Sequence, residues 1–304
     1  MARLEEKEVP NNKSPGHNLI VLTTDFGLTD PYVGVMKGVI LGINPSVAVV
    51  DLTHQIQPQN ILQASFTLAT SYRFFPKEAT HAIVVDPGVG TNRRAILLVT
   101  PHGRFIAPDN GVLSGVLGDY LGEMSPKPGI ISLPTGLMAY SLTNPSYWLH
   151  PVSQTFHGRD VFAPVAAHLS MGVLPHDLGE LIREIVWLPA PKPFRQGNAI
   201  DGEILMVDHF GNLVSNIPAD MVSGLLAGMA VGDRSLRVEI KGIRISGLSR
   251  TFHDDMLTGA SAASNNFVAL LGSNGFLEVA FPDGNAASML GVRAGEPLRV
   301  VGEG

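Results

Sequence analysis

Four apolar runs in the first half of the chain each lead into an aspartate, and this repeated pattern constrains the fold more than any other feature. The runs show no alternation of polar and apolar residues, which is typical of strands buried on both faces of a parallel sheet. Helix-like segments separate the first three runs, and that alternation predicts a doubly wound α/β sheet. The predicted strands are Asn18–Thr24, Val47–Val50, His81–Val85 and Arg104–Ala107, and the aspartates are Asp25, Asp51, Asp86 and Asp109.

The four aspartates are expected to lie along one edge of this sheet. Any one of them, taken alone, is better explained as a helix cap or a turn residue. The carboxyl ends of parallel strands meet at the same edge, however, and open α/β sheets bind ligands there. Carboxylates bind vicinal hydroxyl groups through paired hydrogen bonds, so we expect a polar ligand at this edge.

Three helices are predicted in the same part of the chain. Asp30 and Pro31 are expected to be the N-cap and the first residue of the first helix. Ser125–Pro151 is rich in proline and is predicted to be irregular. The predicted helices are Asp30–Leu41, Gln59–Phe74 and Asp160–Met171.

A change in composition at Leu188–Gly197 predicts a linker, because this segment is rich in proline and glycine. Beyond it the sequence becomes β-rich, and we expect a smaller antiparallel barrel or sandwich. The predicted organisation is a flexible tail at 1–17, an N-terminal α/β domain at 18–187, a linker at 188–197 and a C-terminal β-rich domain at 198–304. The predicted C-terminal strands are Gly202–Val207, Leu213–Ile217, Ser235–Ile245, Phe267–Leu271, Leu277–Phe281 and Pro297–Val301.

Composition excludes several functional classes. The chain has no cysteine, so disulfides, thiolate nucleophiles and cysteine zinc sites are excluded. A formal net charge of −6 argues against binding to a nucleic-acid backbone. No secretory segment and no apolar run of about 18 residues occurs, so we expect a cytoplasmic protein without a membrane partner. Charged residues are only 16% of the chain, which suggests surface buried between subunits.

Two polar segments are candidates for chemistry. In His81–Arg94 a buried strand leads into Asp86, a glycine turn and two arginines. The turn lacks the spacing of a phosphate-binding loop, so we interpret it as a close approach of backbone to a ligand. In Thr155–Asp160, a helix N-terminus explains Asp160 but not His157. The histidines show no metal-binding spacing, so no metal is predicted.

Six motifs occur in the order found in a known family. The sequence resembles the S-adenosyl-L-methionine (SAM) hydroxide adenosyltransferases, the adenosine-forming SAM hydrolases, which are relatives of the SAM-dependent fluorinase and chlorinase. The resemblance covers roughly residues 18–302. The motifs are Thr23–Gly27, Val85–Gly90, Pro108–Gly111, Thr155–Asp160, Asp208–Asn212 and Ser273–Glu278.

The resemblance implies a fold, an assembly and a reaction. The fold is an N-terminal α/β domain followed by a C-terminal β-rich domain, assembled as a homotrimer with the active site between subunits. The reaction is SAM plus water giving adenosine and L-methionine, with SAM as the substrate and no cofactor.

The resemblance also implies roles for individual residues. Asp86, Arg93 and His157 match the catalytic set, and Asp25 matches the carboxylate that holds the ribose hydroxyls. The adenine-side matches are Asp208, Phe210 and Asn212. The methionine-side matches are Asp30, Ser273 and Glu278, with Asn274 and Phe281 as weaker candidates.

Asp86 distinguishes the hydrolases from the halogenases. In halogenases this position holds an aromatic hydroxyl, and the position of Gly158 holds a serine or small residue lining the halide pocket. A carboxylate at Asp86 opposes an anion and suits a water that must lose a proton. We expect Asp86 and His157 to orient the water and Arg93 to keep Asp86 ionised, while the proton acceptor is either Asp86 or His157.

Three other functions stay open from the sequence. The first is a SAM-dependent chlorinase. The second is a metal-dependent hydrolase that uses the aspartate edge with His54 and His157. The third is a non-catalytic SAM or adenosine sensor that retains the pocket.

Overall fold

A computed structural model describes residues 19–122, 127–229, 235–253 and 266–303 of the chain. The chain divides into two compact units, Met1–Pro189 and Ala190–Gly304. The predicted tail, residues 1–17, lies outside the described residues. No helix in the described ranges is long and apolar enough to cross a membrane.

The first unit alternates strands and helices over its first half, as the apolar runs predict. Its described elements are β1 (Leu19–Thr24), α1 (Tyr32–Ile43), β2 (Ala48–Thr53), α2 (Ile61–Ala69), β3 (Thr80–Val84), β4 (Ala95–Thr100), β5 (Gly103–Pro108), α3 (Ser114–Gly118), β6 (Gly129–Ser132), β7 (Met138–Ser141), α4 (Ala163–Ser170), β8 (Glu180–Ile182) and β9 (Glu184–Trp187).

Seven of these strands form one mixed sheet in the order β2-β1-β3-β5-β4-β7-β8. The four strands β2, β1, β3 and β5 are mutually parallel. The strands β4, β7 and β8 continue the sheet with antiparallel pairing. A second, two-stranded sheet joins β6 to β9.

Helices cover both faces of the large sheet, which confirms the predicted doubly wound class. On one face Leu22 and Val84 pack with residues of α1 and α4. On the other face Ile83 and Phe105 pack with residues of α2 and α3. Since successive strand residues point to opposite faces, strands buried on both sides must be apolar throughout, and this explains the runs in the sequence.

Three of the four aspartates end parallel strands, as predicted. Asp25 follows β1 directly, Asp86 lies two residues beyond β3, and Asp109 follows β5. Asp51 differs, because β2 continues past it to Thr53. The register between β1 and β2 shifts at this point, so one extra residue of β2 lies opposite β1.

Several predicted boundaries were wrong. Helix α1 begins at Tyr32 with Pro31 as its N-cap, so Asp30 is not the cap. Helix α2 ends at Ala69 and not at Phe74 as predicted. At its end the Thr70 hydroxyl donates a hydrogen bond to a main-chain carbonyl of the last turn. The segment predicted to be irregular contains β6 and β7.

The second unit is antiparallel and nearly barrel-shaped, which confirms the predicted β-rich class. Its main strand order is β14-β13-β17-β11-β12-β16-β15, and β10 pairs with β11. Strand β10 lies inside the segment predicted to be a linker, so that segment is partly ordered as strand. The elements are β10 (Phe194–Gln196), β11 (Ala199–Val207), β12 (Leu213–Pro218), α5 (Ala219–Ala227), β13 (Ser235–Ile240), β14 (Ile243–Ser246), β15 (Val268–Leu271), β16 (Phe276–Ala280), α6 (Ala286–Leu290) and β17 (Pro297–Glu303).

Candidate functional site

Asp86 and Arg93 form a buried ion pair at the end of β3. The Arg93 Nε donates to both carboxylate oxygens of Asp86, at 3.0 Å and 2.9 Å, and Nη2 donates to Oδ2. The side chains are 3% and 11% exposed. Charge-assisted contacts of this kind fix geometry strongly, because removing either partner leaves a buried charge unpaired.

The turn between these residues depends on Gly90. Its φ is +77°, and a Cβ at this position would overlap the carbonyl oxygen of Gln154. Only glycine allows both the left-handed conformation and this close approach. The turn therefore brings Arg93 back beside Asp86 while it packs against the segment that leads to His157.

His157 joins the pair through Arg93. Its Nδ1 lies 2.7 Å from Nη2 of Arg93. A guanidinium only donates hydrogen bonds, so Nδ1 accepts and we assign the ring proton to Nε2. Burial lowers the pKa of His157 and the Arg93 charge lowers it further, against the opposing effect of Asp86. The lowered pKa favours the neutral imidazole with its proton on Nε2, although a main-chain hydrogen bond to Ser153 acts to raise the pKa.

Asp160 holds the segment that carries His157. It is fully buried, and it accepts hydrogen bonds from Arg159 Nε at 2.6 Å and from the Ser153 amide at 2.8 Å. Burial acts to raise the pKa of Asp160, but these hydrogen bonds lower it overall. The chain around it, Gly158–Phe162, is a π-helical turn, a feature frequent at functional sites.

The Pro108–Gly111 motif, which follows the neighbouring strand β5, contacts the end of the segment that leads into Asp86. Asn110 Nδ2 donates to the carbonyl of Val85, the residue before Asp86, at 2.9 Å. Asp109 accepts from Arg94 and from the Val186 amide, so its carboxylate is committed to structure. The motif was evident in the sequence, but the contact of Asn110 with the residue before Asp86 was not.

Asp25 lies beyond β1, next to the strand that carries Asp86. Its Oδ2 accepts a hydrogen bond from the Gln59 amide at 2.7 Å. Gln59 has a φ of +65°, an uncommon conformation for a residue with a side chain. Asp25 is half-buried and Asp30 is exposed.

In the second unit, Asp208 organises the loop between β11 and β12. Its Oδ1 accepts from the amides of Phe210 and Asn212 at 2.9 Å and 2.8 Å, and its Oδ2 accepts from the Asn212 side chain. The loop leaves the Phe210 ring 73% exposed. Asp208 therefore shapes the loop, and Phe210 is the side chain that the loop presents.

Glu278 and its neighbours form a second polar group in this unit. Asn274 Nδ2 donates to Glu278 Oε1 at 2.9 Å. A Cβ on Gly272 would overlap the Glu278 carboxylate, so this glycine makes room for it. Burial raises the pKa of Glu278, and the charge of Asp208 also raises it, against the effect of Asn274.

The two remaining predicted residues of this unit differ in exposure. Ser273 is exposed in the turn between β15 and β16. Phe281 is half-buried and packs edge-on against Phe267, with ring centroids 5.1 Å apart. In the part of the chain that the structure describes, no group of three or more His, Asp and Glu side chains is arranged to hold a metal ion.

Comparisons with known proteins agree with the family resemblance of the sequence. Family models described as the SAM hydroxide adenosyltransferase N-terminal and C-terminal domains match residues 20–179 and 202–299. An (R)-S-adenosyl-L-methionine hydrolase from Salinispora tropica is 36% identical over 92% of this chain and 97% of its own length. A fluorinase from Nocardia brasiliensis is 26% identical over 93% of this chain and 96% of its own length.

A solved structure has the same fold. The crystal structure of an uncharacterized conserved protein from Thermotoga maritima is 34% identical, with a TM-score of 0.79, and the match covers 93% of this chain and 99% of that one. These comparisons confirm the resemblance carried by the six motifs. The chain belongs to the SAM hydroxide adenosyltransferase family.

Proposed function

We propose that this protein hydrolyses SAM to adenosine and L-methionine through attack of an activated water on the ribose C5′. The observation that carries the proposal is the cluster of Asp86, Arg93 and His157, a buried carboxylate held beside a neutral imidazole. The identity to a curated SAM hydrolase over nearly the whole chain supports it.

Electrostatics favour this reaction in a water-poor pocket. Hydroxide attacking a sulfonium cancels two charges as the transition state forms, so removing bulk water favours the reaction. The leaving group is the neutral sulfur of methionine. The difficult step is forming the nucleophile, since free water has a pKa of about 15.7.

We assign proton acceptance to Asp86 and orientation of the water to His157. The Nδ1 lone pair of His157 is occupied by Arg93, so the ring offers Nε2–H as a donor to the water oxygen. Asp86 Oδ1 receives a single hydrogen bond from Arg93 and keeps acceptor capacity for a water proton. Arg93 fixes both groups, and the proton leaves the water for Asp86 as the C5′–O bond forms.

Substrate binding completes the proposal. Asp25 keeps one carboxylate oxygen for the ribose hydroxyls, and exposed Phe210 offers a ring face to adenine. Asp208 and Asn212 hold the Phe210 loop. The proposed methionine-side residues are Asp30, Ser273, Asn274, Glu278 and Phe281.

We further propose a homotrimer with active sites at subunit interfaces, acting in the cytoplasm without a cofactor. The low fraction of charged residues, 16%, is consistent with extensive buried surface between subunits. The assembly and the location otherwise follow from the family resemblance and the sequence.

The test is incubation with SAM in ¹⁸O-labelled water, followed by product identification. We expect adenosine carrying the label, together with unlabelled L-methionine. Label in methionine excludes attack at C5′, and 5′-chloro-5′-deoxyadenosine at high chloride identifies a chlorinase. Activity lost to a strong chelator supports the metal-dependent hydrolase, and nucleoside binding without turnover supports a sensor.

A further inference from the structure

A chain of polar contacts runs behind the strand end that carries Asp25. His54 is almost fully buried, and its Nδ1 lies 2.9 Å from the Thr24 hydroxyl. Its Nε2 lies 3.1 Å from Asp51 Oδ1 but has no aligned hydrogen-bond partner. Lys37 completes the chain through a 2.6 Å hydrogen bond to Asp51.

These contacts hold the Asp25 turn on both sides. Before Asp25, the His54 ring binds the Thr24 hydroxyl, which also accepts from the Phe26 amide at 3.2 Å. After it, the main-chain carbonyl of His54 accepts from the Gly27 amide at 2.8 Å. His54 therefore contacts the turn on both sides of Asp25, through its ring and through its main-chain carbonyl.

The segment after β2 also fixes the carboxylate itself. The Gln59 amide, five residues beyond His54, donates to Asp25 Oδ2. The register shift between β1 and β2 lies just before this segment, and shifts of this kind re-aim side chains near active sites. One continuous segment thus contacts the turn through a side chain, a carbonyl and an amide.

We propose that His54 is a positioning residue, which holds Asp25 in the orientation that binds the substrate's ribose hydroxyls. The inference rests on the proposed function, in which Asp25 binds ribose. The imidazole acts through Thr24 and not on substrate, since its two nitrogens face Thr24 and Asp51. Small displacements of a positioned group weaken binding and catalysis strongly.

The sequence offered a different role for His54, as a metal ligand beside the aspartate edge. Its Nδ1 contacts the Thr24 hydroxyl, and its Nε2 lies 3.1 Å from the Asp51 carboxylate. These contacts account for the buried His54 as a residue that supports the turn, without a metal ion.

The test compares adenosine with 2′,3′-dideoxyadenosine, which lacks both ribose hydroxyls. In His54→Phe, which keeps an aromatic ring but loses the polar contacts, we expect the Kd of adenosine to rise roughly tenfold. The Kd of the dideoxy compound should change less than about twofold, because it makes no contact with Asp25. For SAM, KM should rise more than kcat falls, and His54→Asn should recover part of the loss through its contact with Thr24.

Asp25→Ala separates this inference from the proposed function. If Asp25→Ala does not reduce the preference for adenosine over the dideoxy compound, Asp25 does not bind ribose and the proposed function is wrong on this point. If Asp25→Ala abolishes the preference while His54→Phe leaves it intact, only the role of His54 is wrong. Equal weakening of both ligands by His54→Phe also overturns that role.

A second variant guards against a folding defect. Thr24→Val removes the hydroxyl with little change in volume and leaves the histidine in place. We expect it to reproduce the selective loss of adenosine binding, with a melting temperature that shows a folded protein. A Thr24→Val protein with unchanged preference contradicts the proposal, whether or not His54→Phe folds.

Discussion

Asp86 and Arg93 form a buried ion pair, in which each charge compensates the other. Arg93 donates to both oxygens of the carboxylate and to the imidazole of His157. An amide at position 86 has nearly the same shape and accepts from Arg93 through its one oxygen, but it has no negative charge to pair with the buried guanidinium. Such a change tests the carboxylate as a base with little change in side-chain volume.

We expect Asp86→Asn to lower kcat for SAM hydrolysis by about 10²–10⁴-fold, the usual contribution of a general base. KM should change much less, because Asp86 is not among the proposed binding groups. Steady-state release of adenosine measures both constants. A kcat within about twofold of the unmodified protein would show that Asp86 is not the base.

Asp119→Asn is the matched control for this change. Asp119 is also a carboxylate paired with an arginine, and it accepts hydrogen bonds from Tyr72 and Arg73. It belongs to none of the proposed site groups. Its replacement should lower the melting temperature and leave kcat unchanged.

At this scale the sequence predicted which residues would lie together better than it predicted their individual contacts. Asp86, Arg93 and His157 were identified from motifs, and the structure brings them into one hydrogen-bonded group. The support from Asn110 and His54 was missed, because each joins residues that are far apart in sequence. The direction of the bond between Arg93 and His157 was also hidden, since it depends on which ring nitrogen faces the guanidinium.

At the scale of elements, strand β3 carries a buried histidine that takes no part in the site. His81 is fully buried, and both of its ring nitrogens lack hydrogen-bond partners. Its ring stacks on Phe105 with centroids 5.0 Å apart. Burial lowers the pKa of His81 from 6.5 to about 4. The folded protein therefore holds a neutral imidazole, whereas the same side chain exposed to water in the unfolded chain is protonated more easily.

This histidine predicts a loss of stability in mild acid. Between pH 6.5 and 4 the unfolded chain binds a proton at His81 that the folded chain does not, so the free energy of unfolding falls as pH falls. The difference corresponds to about 3 kcal/mol below both pKa values. Urea unfolding at a series of pH values measures it.

His81→Phe should remove this part of the acid dependence and keep the aromatic packing. The matched control is His176→Gln, at an exposed position. If the free energy of unfolding of His81→Phe falls with pH as steeply as that of the unmodified chain, another group causes the loss of stability.

The turn after β3 gives a second prediction at this scale. Gly90→Ala would place a side chain on a residue with a left-handed φ, and its Cβ would overlap the carbonyl oxygen of Gln154. We expect a cost of about 2 kcal/mol or more, and a fall in kcat because the turn places Arg93. Gly136→Ala has a φ of +86° and open space around the Cβ, so it tests the backbone strain alone.

Gly136→Ala should therefore cost about 1 kcal/mol and leave kcat unchanged. Chemical denaturation and SAM turnover are measured on both variants. Equal losses of stability in the two proteins would contradict a specific role for the contact between Gly90 and Gln154.

The elements differ in how well the sequence predicted them. Long apolar strands such as β1 and β3 were predicted because burial on both faces leaves a clear run. Short, largely exposed strands such as β8 and β10 were missed, since pairing with a neighbour stabilises them more than their own residues. The π-helical turn at Gly158–Phe162 was also missed, because it depends on the tertiary contacts of Asp160.

At the scale of the whole molecule, exposed apolar side chains bear on the proposed assembly. Several large apolar side chains are more than half exposed. The chain also has few charged residues, only 16%. Exposed apolar area of this kind marks surfaces that bind other molecules when it is contiguous. The proposed homotrimer accounts for such surface, and it predicts that active sites combine groups from different subunits.

Co-expression of two inactive variants tests this arrangement. Asp86→Asn removes the proposed base, and Phe210→Ala removes the proposed adenine contact. In a ring where each site takes its base from one subunit and its adenine contact from the next, every mixed trimer keeps one intact site of three, which is about a quarter of all sites after random mixing. Differently tagged subunits allow the mixed trimers to be purified, and sedimentation gives their mass. Mixed trimers as inactive as the separate variants would show that one subunit supplies both groups, and a monomeric mass would exclude the trimer.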